Sequence, residues 1–313
     1  MARITIGADP EFFLETKSKS TLIPSQGRVP GTKDNPAVIA GTDFKVLRDN
    51  VAAEYNIPPA TNKYDFLSSI ETGMGLVLAS IPYDKRKNIQ ISKKSSGLIN
   101  HKHLNNTEAL NFGCEPDFNA WTISENVIDR DSIDERFRCV GGHVHVGYLE
   151  KYPNINPLIL VRCMDLFLGV PSVILDPDKE RRKLYGKAGA YRPTKYGIEY
   201  RTLSNFWIHE PRFINFVWDN TITAISFAVS NDNIDPDSEF GYNIQEAINT
   251  SNKDLAYRVL SEVGAELEIR DDQVYLHFNK NMPTTKVKYA EPSESTVSAW
   301  FNSTTFSVTN TNV

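Results

Sequence analysis

Cysteine is scarce: Cys114, Cys139 and Cys163 are the only three in 313 residues, and no two of them stand in CxxC spacing. An odd, scattered set supports neither a disulfide framework nor a zinc knuckle, and a reducing compartment is the default. Positive charge is also not in surplus. The formal net charge is −5, which argues against a surface built to neutralise nucleic-acid phosphates or to sit on anionic lipid, and suits small charged ligands better. A long uninterrupted apolar run is missing as well. "PLILVRCMDLFLGVPSVIL" is broken by Arg162, Asp165 and Pro171, and reads as a buried helix followed by a break, not as a membrane span. "MARITIGADPEFF" carries no apolar h-region of a signal peptide, so a cytoplasmic protein with no membrane partner is expected. Neither GxxxxGK[ST] nor GxGxxG occurs, and no Ser or Cys stands in a nucleophile elbow. A P-loop, a Rossmann site and a nucleophile-elbow hydrolase therefore lack support.

What remains is the composition of an ordinary globular protein, 40% hydrophobic and 23% charged. The length alone suggests about two domains, although single α+β domains of this size occur. No repeat or low-complexity linker marks a boundary. The expected organisation is one catalytic unit over 1–290 and a Ser/Thr/Asn-rich tail over 291–313, in which Trp300, Phe301 and Phe306 suggest docking.

Patterning places the elements. "RITIG" and "EFFLE" read as strands, with "ADP" as a turn or bulge between them. Residues 43–60 read as a loop or hairpin leading into a strand that Pro58 and Pro59 end. Phe66, Ile70, Met74, Val77 and Leu78 keep helical spacing behind an N-cap at Thr61 or Asn62. The polar 92–107 region reads as loop, so His101 and His103 are expected in solvent. Helices are expected over about 154–168, over "EPRFINFVWDNTITAISFAVSN", and over 242–249 and 253–264. A strand begins at Ile198, and "DKERRKLYGKAGAYRPTKYG" reads as a basic loop before it.

Three polar pairs at spacing two carry the chemistry. In "GGHVHVGY", β-branched valines alternate with His143 and His145, so both imidazoles leave one face of a strand. Taken alone, the pair reads as a half-buried strand whose histidines bond backbone carbonyls. Its company changes that reading. Asp9 and Glu11 in "GADPEFFLE", and Glu199 and Arg201 in "GIEYRTL", repeat the spacing, and Glu54 sits in a further strand-like run, "NVAAEYNIPP". Carboxylates two apart on one strand face lie about 6.5–7 Å from each other and repel by roughly 2.4 kcal/mol at an effective dielectric near 20. Several together need cations. Carboxylates with one or two imidazoles suit Mg²⁺ or Mn²⁺ better than structural zinc, and such metals usually meet phosphate. Arg181, Arg182, Lys187, Arg192 and Arg201 supply the positive charge a transferring phosphoryl group requires. The outer residues Arg181 and Lys183 read as solvated surface.

In these stretches the chain resembles the glutamine synthetase and glutamate–cysteine ligase superfamily of carboxylate–amine ligases. "GADPEFFLE" resembles its acidic first strand, with Asp9 in place of the first Glu and so one methylene shorter. "GGHVHVG" resembles its HxH strand, "GIEYRTL" its ExR strand, and "AAEYNIPP" the stretch that supplies a further metal-binding Glu. Within the superfamily the chain looks like the phage-type COOH–NH2 ligase group, type 2, on its DPEF opening, the Gly31-Thr32-Lys33 segment, "GCEPDFNAW" and "YGKAG". The resemblance runs from about residue 4 to 208. It implies an α+β fold in which a curved, mostly antiparallel sheet forms an open half-barrel with helices on its outer face. It further implies that Glu11 and Glu54 bind one metal and that Asp9, His143 and Glu199 bind another. His145 would lie near the nucleotide phosphates or the reacting carboxylate, and Arg201 on the transferred phosphate. ATP with Mg²⁺ or Mn²⁺ would be bound with help from Lys187, Arg182, His145 and Arg201, and Arg192 would join Arg201 and His145 in catalysis.

The implied reaction is ATP-dependent amide formation through an acyl phosphate. Its substrates would be small-molecule or peptide carboxylates and amines in a cytoplasm, the host's if the gene is a phage's, and a homo-oligomer is compatible with the chain. Two rivals stand beside it. A metal-dependent amidohydrolase with an HxH site would need zinc, more ligand histidines and no ATP. A catalytically inactive relative would bind nucleotide without turnover.

Overall fold

Alternation of polar and apolar residues along the strands produces a sheet with one wet and one dry face. A computed structural model describes residues 3–104, 117–127, 133–230 and 234–278. In chain order the strands are β1 (Thr5–Phe12), β2 (Leu14–Thr16), β3 (Leu22–Ile23), β4 (Ala37–Val38), β5 (Lys45–Asp49), β6 (Ala52–Asn56), β7 (Ile89–Ile91), β8 (Ser96–Leu98), β9 (Phe118–Asn119), β10 (Ser124–Glu125), β11 (Phe137–Cys139), β12 (Gly142–Gly147), β13 (Ala190–Thr194), β14 (Gly197–Tyr200), β15 (Ala265–Arg270) and β16 (Gln273–Phe278). Nine of them form the main sheet in the order β10-β9-β13-β14-β12-β1-β6-β5-β4. Every neighbouring pair is antiparallel, and the sheet is not closed into a barrel. This is the mixed α+β architecture that was expected.

The dry face carries Ile6, Ala8, Phe12, Ala53, Tyr55, Val144, Val146, Ile198 and Tyr200, all at most 5% exposed. Helices cover it. The Lys63–Ser80 helix takes the Tyr55 hydroxyl on its Ile70 carbonyl at 2.8 Å, and its N-cap is Asn62, whose side chain accepts from the Asp65 amide. Phe66 of that helix stacks on Trp207 and tilts against Trp218 of the Pro211–Ser230 helix, with centroids 5.9 and 5.4 Å away. Two further helices, Glu239–Thr250 and Lys253–Glu262, stand where the periodicity put them. Residues 291–313, read as a tail, lie outside the described residues.

Four readings change. "ADP" is neither turn nor bulge: β1 runs through it, and Pro10 stands opposite Gly142, where pairing with β12 ends and pairing with β6 begins. The basic loop holds a short helix, Arg181–Leu184, and a full strand, β13, whose Pro193 hides it from a period-two reading. The hairpin β15–β16 has no counterpart in the sequence expectations. The fourth change concerns Pro171, which does not break its helix. Pro157–Leu175 is one helix of 19 residues, apolar and long enough to cross a membrane but largely buried in the fold.

That helix absorbs Pro171 by widening into a π-turn at Asp165–Gly169 just before it. Asp165, 0% exposed, is held at the start of this turn. It accepts from Trp121 Nε1 at 2.6 Å, Tyr200 Oη at 2.6 Å, Gly189 N at 2.5 Å and Thr202 Oγ1 at 3.2 Å. Burial pushes its carboxyl up to about 6, against the lowering effect of these donors. Through it the helix pins the end of β14 and the loop before β13. Asp165→Asn should therefore destabilise the fold by about 3 kcal/mol or more, because an amide turns an –NH2 towards donors that need an acceptor. Urea titration would register this as a lower midpoint at an unchanged m-value.

Candidate functional site

Register decides which side chains share the wet face. Asp9 pairs with His143, Glu11 with Glu54, His145 with Glu199, and Glu199 with Arg192. Residues directly opposite in an antiparallel pair leave the sheet on the same side. The three polar pairs and Glu54 thus converge on the face away from the helices, as the spacing suggests. His101 does not join them. It pairs with Glu135 at 3.3 Å on the surface.

Among the described residues, two groups of possible metal ligands form, each with its donor atoms within 4.8 Å of one another: Asp9, His145 and Glu199, and Glu11, Asp49 and Glu54. In the first, His145 Nε2 lies 3.1 Å from Asp9 Oδ1. Both atoms are buried, yet neither has a hydrogen-bond partner of acceptable geometry. The two atoms attract as an ion pair without making a hydrogen bond, so a cation shared by them would supply the partner that each lacks. His143 flanks the same group, its Nδ1 3.4 Å from Asp9 and 3.5 Å from Glu199. Thus both histidines reach Asp9, and His145, which the resemblance placed nearer the phosphates, is the one among the clustered donors. In the second group, Glu11 accepts the Gly141 amide on Oε2 at 2.7 Å, which fixes the carboxylate at the start of β12. Hard oxygen donors dominate both groups, as Mg²⁺ or Mn²⁺ prefers.

The charges are unevenly balanced. Burial works against the charge on Asp9, but His145 and His143 outweigh it and hold the carboxyl well below its usual range. The reciprocal effect, led by Asp9, raises His145 against its own burial. Glu54 is opposed only weakly, by Lys33. Burial, then Asp9, Glu11 and Asp49, push its carboxyl well above the usual value. Asp49 is pushed up to about 6 by burial and by Glu11.

Basic groups border the first cluster. Arg201, 6% exposed, donates from Nη1 to Glu199 and from Nε to Asp117 Oδ2 at 3.3 Å. Arg192 Nη1 lies 3.8 Å from Glu199. Arg181, expected in solvent, is buried: its guanidinium donates to the Thr202 and Arg201 carbonyls at 2.9 and 3.2 Å, beneath the end of β14. Those acceptors are 21 and 20 residues downstream, and charge patterning alone cannot foresee them. Lys183 is exposed, as expected. Arg182 is held elsewhere, on Ser172 Oγ at 2.9 Å and near Asp176 at 3.8 Å. The backbone carbonyl of Lys187 accepts Thr202 Oγ1 at 3.1 Å.

Sequence reasoning misses three participants. Asp49 lies at a hairpin turn closed by Asn50 in a left-handed conformation, φ 53°, and only the Leu47–Glu54 register reveals its face. Asp117 precedes β9 inside "GCEPDFNAW", a stretch that the resemblance singles out without giving Asp117 a role. Tyr196, in the β13–β14 turn, meets His145 Nδ1 through its hydroxyl at 2.6 Å and so fixes the direction of Nε2.

Residues 132–286 match the family described as Phage phiEco32-like COOH.NH2 ligase-type 2. The matched stretch contains the HxH and ExR strands, and it supports the amidoligase group that the motifs resemble. No curated protein matches the chain.

The acidic pair Asp49 and Glu54 predicts an unusual pH dependence for the metal-free protein. Carboxyls raised on folding bind more protons folded than unfolded, so stability falls as pH rises from about 4 through 6, by roughly 2–3 kcal/mol for Asp49 alone. His145, also raised, adds a loss in the same direction above its ordinary 6.5. Thermal melts from pH 4 to 8 should show this decline, and saturating Mn²⁺ should abolish it.

Proposed function

We propose that this chain, whose 132–286 segment matches the COOH–NH2 ligase group, is an ATP-dependent carboxylate–amine ligase working on the wet face of its main sheet. The observation that carries the reading is the convergence there of two acid clusters bordered by Arg192 and Arg201. Glu11, Asp49 and Glu54 would hold one divalent cation, and Asp9, Glu199 and a histidine the other. Such cations neutralise charge on phosphate oxygens and polarise phosphorus towards attack.

The remaining work belongs to the side chains. Arg201 and Arg192 stand beside Glu199, where their guanidiniums are placed to present donors to a transferring phosphoryl group. An oxygen of the substrate carboxylate attacks the γ-phosphorus, and the bond to ADP breaks. The acyl phosphate then meets an amine nitrogen, inorganic phosphate leaves with the electron pair of its bond to the acyl carbon, and the nitrogen loses a proton. That proton can leave on the departing phosphate, because both His145 nitrogens are engaged, Nδ1 by Tyr196 and Nε2 at the Asp9 cluster. Burial of Glu54, Glu199, His143 and Arg201, all under 9% exposed, limits the water that would hydrolyse the intermediate.

The direct ion pair between Glu199 and Arg201 has a structural and a functional reading, and kinetics separates them. Glu199→Gln should raise the Mg²⁺ requirement, while Arg201→Lys should lower kcat by about ten- to a hundredfold with little change in metal requirement. ADP release is measured over a Mg²⁺ series with pooled carboxylates and amines. Glu11→Ala should stop turnover in a folded protein, and His103→Ala should leave it nearly unchanged. Equal small losses of stability with unchanged kinetics in the Glu199 and Arg201 variants would reduce the pair to a salt bridge.

A further inference from the structure

A cleft of about 500 Å³ opens between the loop that joins β7 to β8 and the loop that follows the Pro157–Leu175 helix. No residue of the two acid clusters lines it. Lys93, Lys94 and Ser95 stand on one side, Pro177 and Lys179 on the other, and the ring of Phe206 completes the lining.

Buried polar groups fix both walls. Ser92 Oγ donates to Glu15 at 2.8 Å and accepts the Lys94 amide at 3.3 Å, which sets the corner that carries Lys93 and Lys94. Across the cleft, Asp176 accepts the Asp178 amide at 2.9 Å, and Asp178 accepts the amides of Glu180 and Arg181 at 2.8 and 3.3 Å. Successive turns closed by aspartate side chains hold this loop and leave Lys179 exposed. Hydroxyls join the walls: Ser95 Oγ donates to Ser204 Oγ at 3.1 Å, and Ser204 donates to Asp176 Oδ2 at 2.7 Å.

The charge left over is positive. The carboxylates of the cleft are already engaged, Asp176 and Asp178 by the contacts above and Glu180 by Lys183 at 2.7 Å. The ammoniums are not matched in the same way. Lys93 stands 3.7 Å from Glu210, whose other oxygen takes Arg212 at 2.7 Å. Among the described residues no carboxylate pairs with Lys94 or Lys179. Lys94 Nζ rests on the Ser20 carbonyl at 3.3 Å, which puts the β2–β3 turn, with Lys17 and Lys19, beside the same rim. Ser95, 2% exposed, has given its proton to Ser204, so what it offers a ligand is an acceptor.

We propose that this cleft docks an acidic peptide segment of a partner protein, its side-chain carboxylates on Lys93, Lys94 and Lys179 and a backbone N–H on Ser95. Fixed walls and unmatched ammoniums give such a segment a preorganised, complementary surface. Nucleic acid fits less well, because its backbone has no N–H for Ser95 and the Phe206 ring, 7% exposed, is too deep to stack on a base. The docking site stands whether or not the wet face turns over ATP.

Fluorescein-labelled hexaglutamate tests it by anisotropy, titrated with the full chain in chelator at physiological salt. The unmodified protein is compared with Lys94→Glu and with the double variant Lys93→Glu/Lys179→Glu, whose thermal melts should be unchanged because these side chains are exposed. Saturable binding is expected, weakened at least about tenfold in the double variant, or 1.4 kcal/mol, and severalfold in Lys94→Glu. No saturable binding by the unmodified protein would overturn the inference. Equal affinity in all three proteins would overturn it as well, by moving the peptide to the arginines of the wet face. Displacement of hexaglutamate by inorganic phosphate or a short oligothymidylate at matched charge would make the cleft a general polyanion site and overturn the peptide assignment.

Discussion

Mutual repulsion among five carboxylates is the constraint around which the wet face is arranged. Asp9, Glu11, Asp49, Glu54 and Glu199 leave the same side of the consecutive strands β14-β12-β1-β6-β5. At the spacings a sheet imposes, each close pair costs on the order of 2 kcal/mol unless opposed. His143, His145, Arg192 and Arg201 oppose it at the β14–β1 side, where the two histidines hold the Asp9 carboxyl well below its usual range against burial. At the β5–β6 side, burial and the neighbouring acids push the Asp49 and Glu54 carboxyls up instead, with Lys33 opposing. A protein selected only for stability would not keep Glu54 8% exposed among three other acids. Divalent cations would relieve this frustration, as the proposed function requires.

The dry face makes the arrangement affordable. The alternation that sends His143 and His145 outward sends Val144 and Val146 into the core, and the alternation that turns Glu199 to the site buries Ile198 and Tyr200. Tyr200 then reaches Asp165 across the sheet–helix boundary, and Thr202 does the same two residues on. Arg201, between them, has little freedom to move: its carbonyl holds Arg181 and its guanidinium holds Glu199 and Asp117. Rigid placement of this kind is what a group waiting for developing charge requires.

Strand alternation makes β12, the β14 pair and Glu54 legible in the sequence, because period two and side-chain chemistry coincide there. Helices with plain 3.6-residue periodicity are legible for the same reason. Legibility ends where partners are distant. Asp49 joins the site only through β5–β6 register, and Tyr196 only through the β13–β14 turn. Arg181 reads as surface because its carbonyl partners lie 20 and 21 residues away. Pro171 reads as a helix break because a π-turn that accommodates proline has no sequence mark of its own.

The central claim is that the wet face is a two-cation surface, and Mn²⁺ stoichiometry tests it most directly. Equilibrium titration followed by electron paramagnetic resonance should count two Mn²⁺ per chain. Glu54→Gln should remove one and Asp9→Asn the other, because the two carboxylates belong to different clusters. No binding at millimolar Mn²⁺, or a single site that both substitutions abolish alike, would contradict the account.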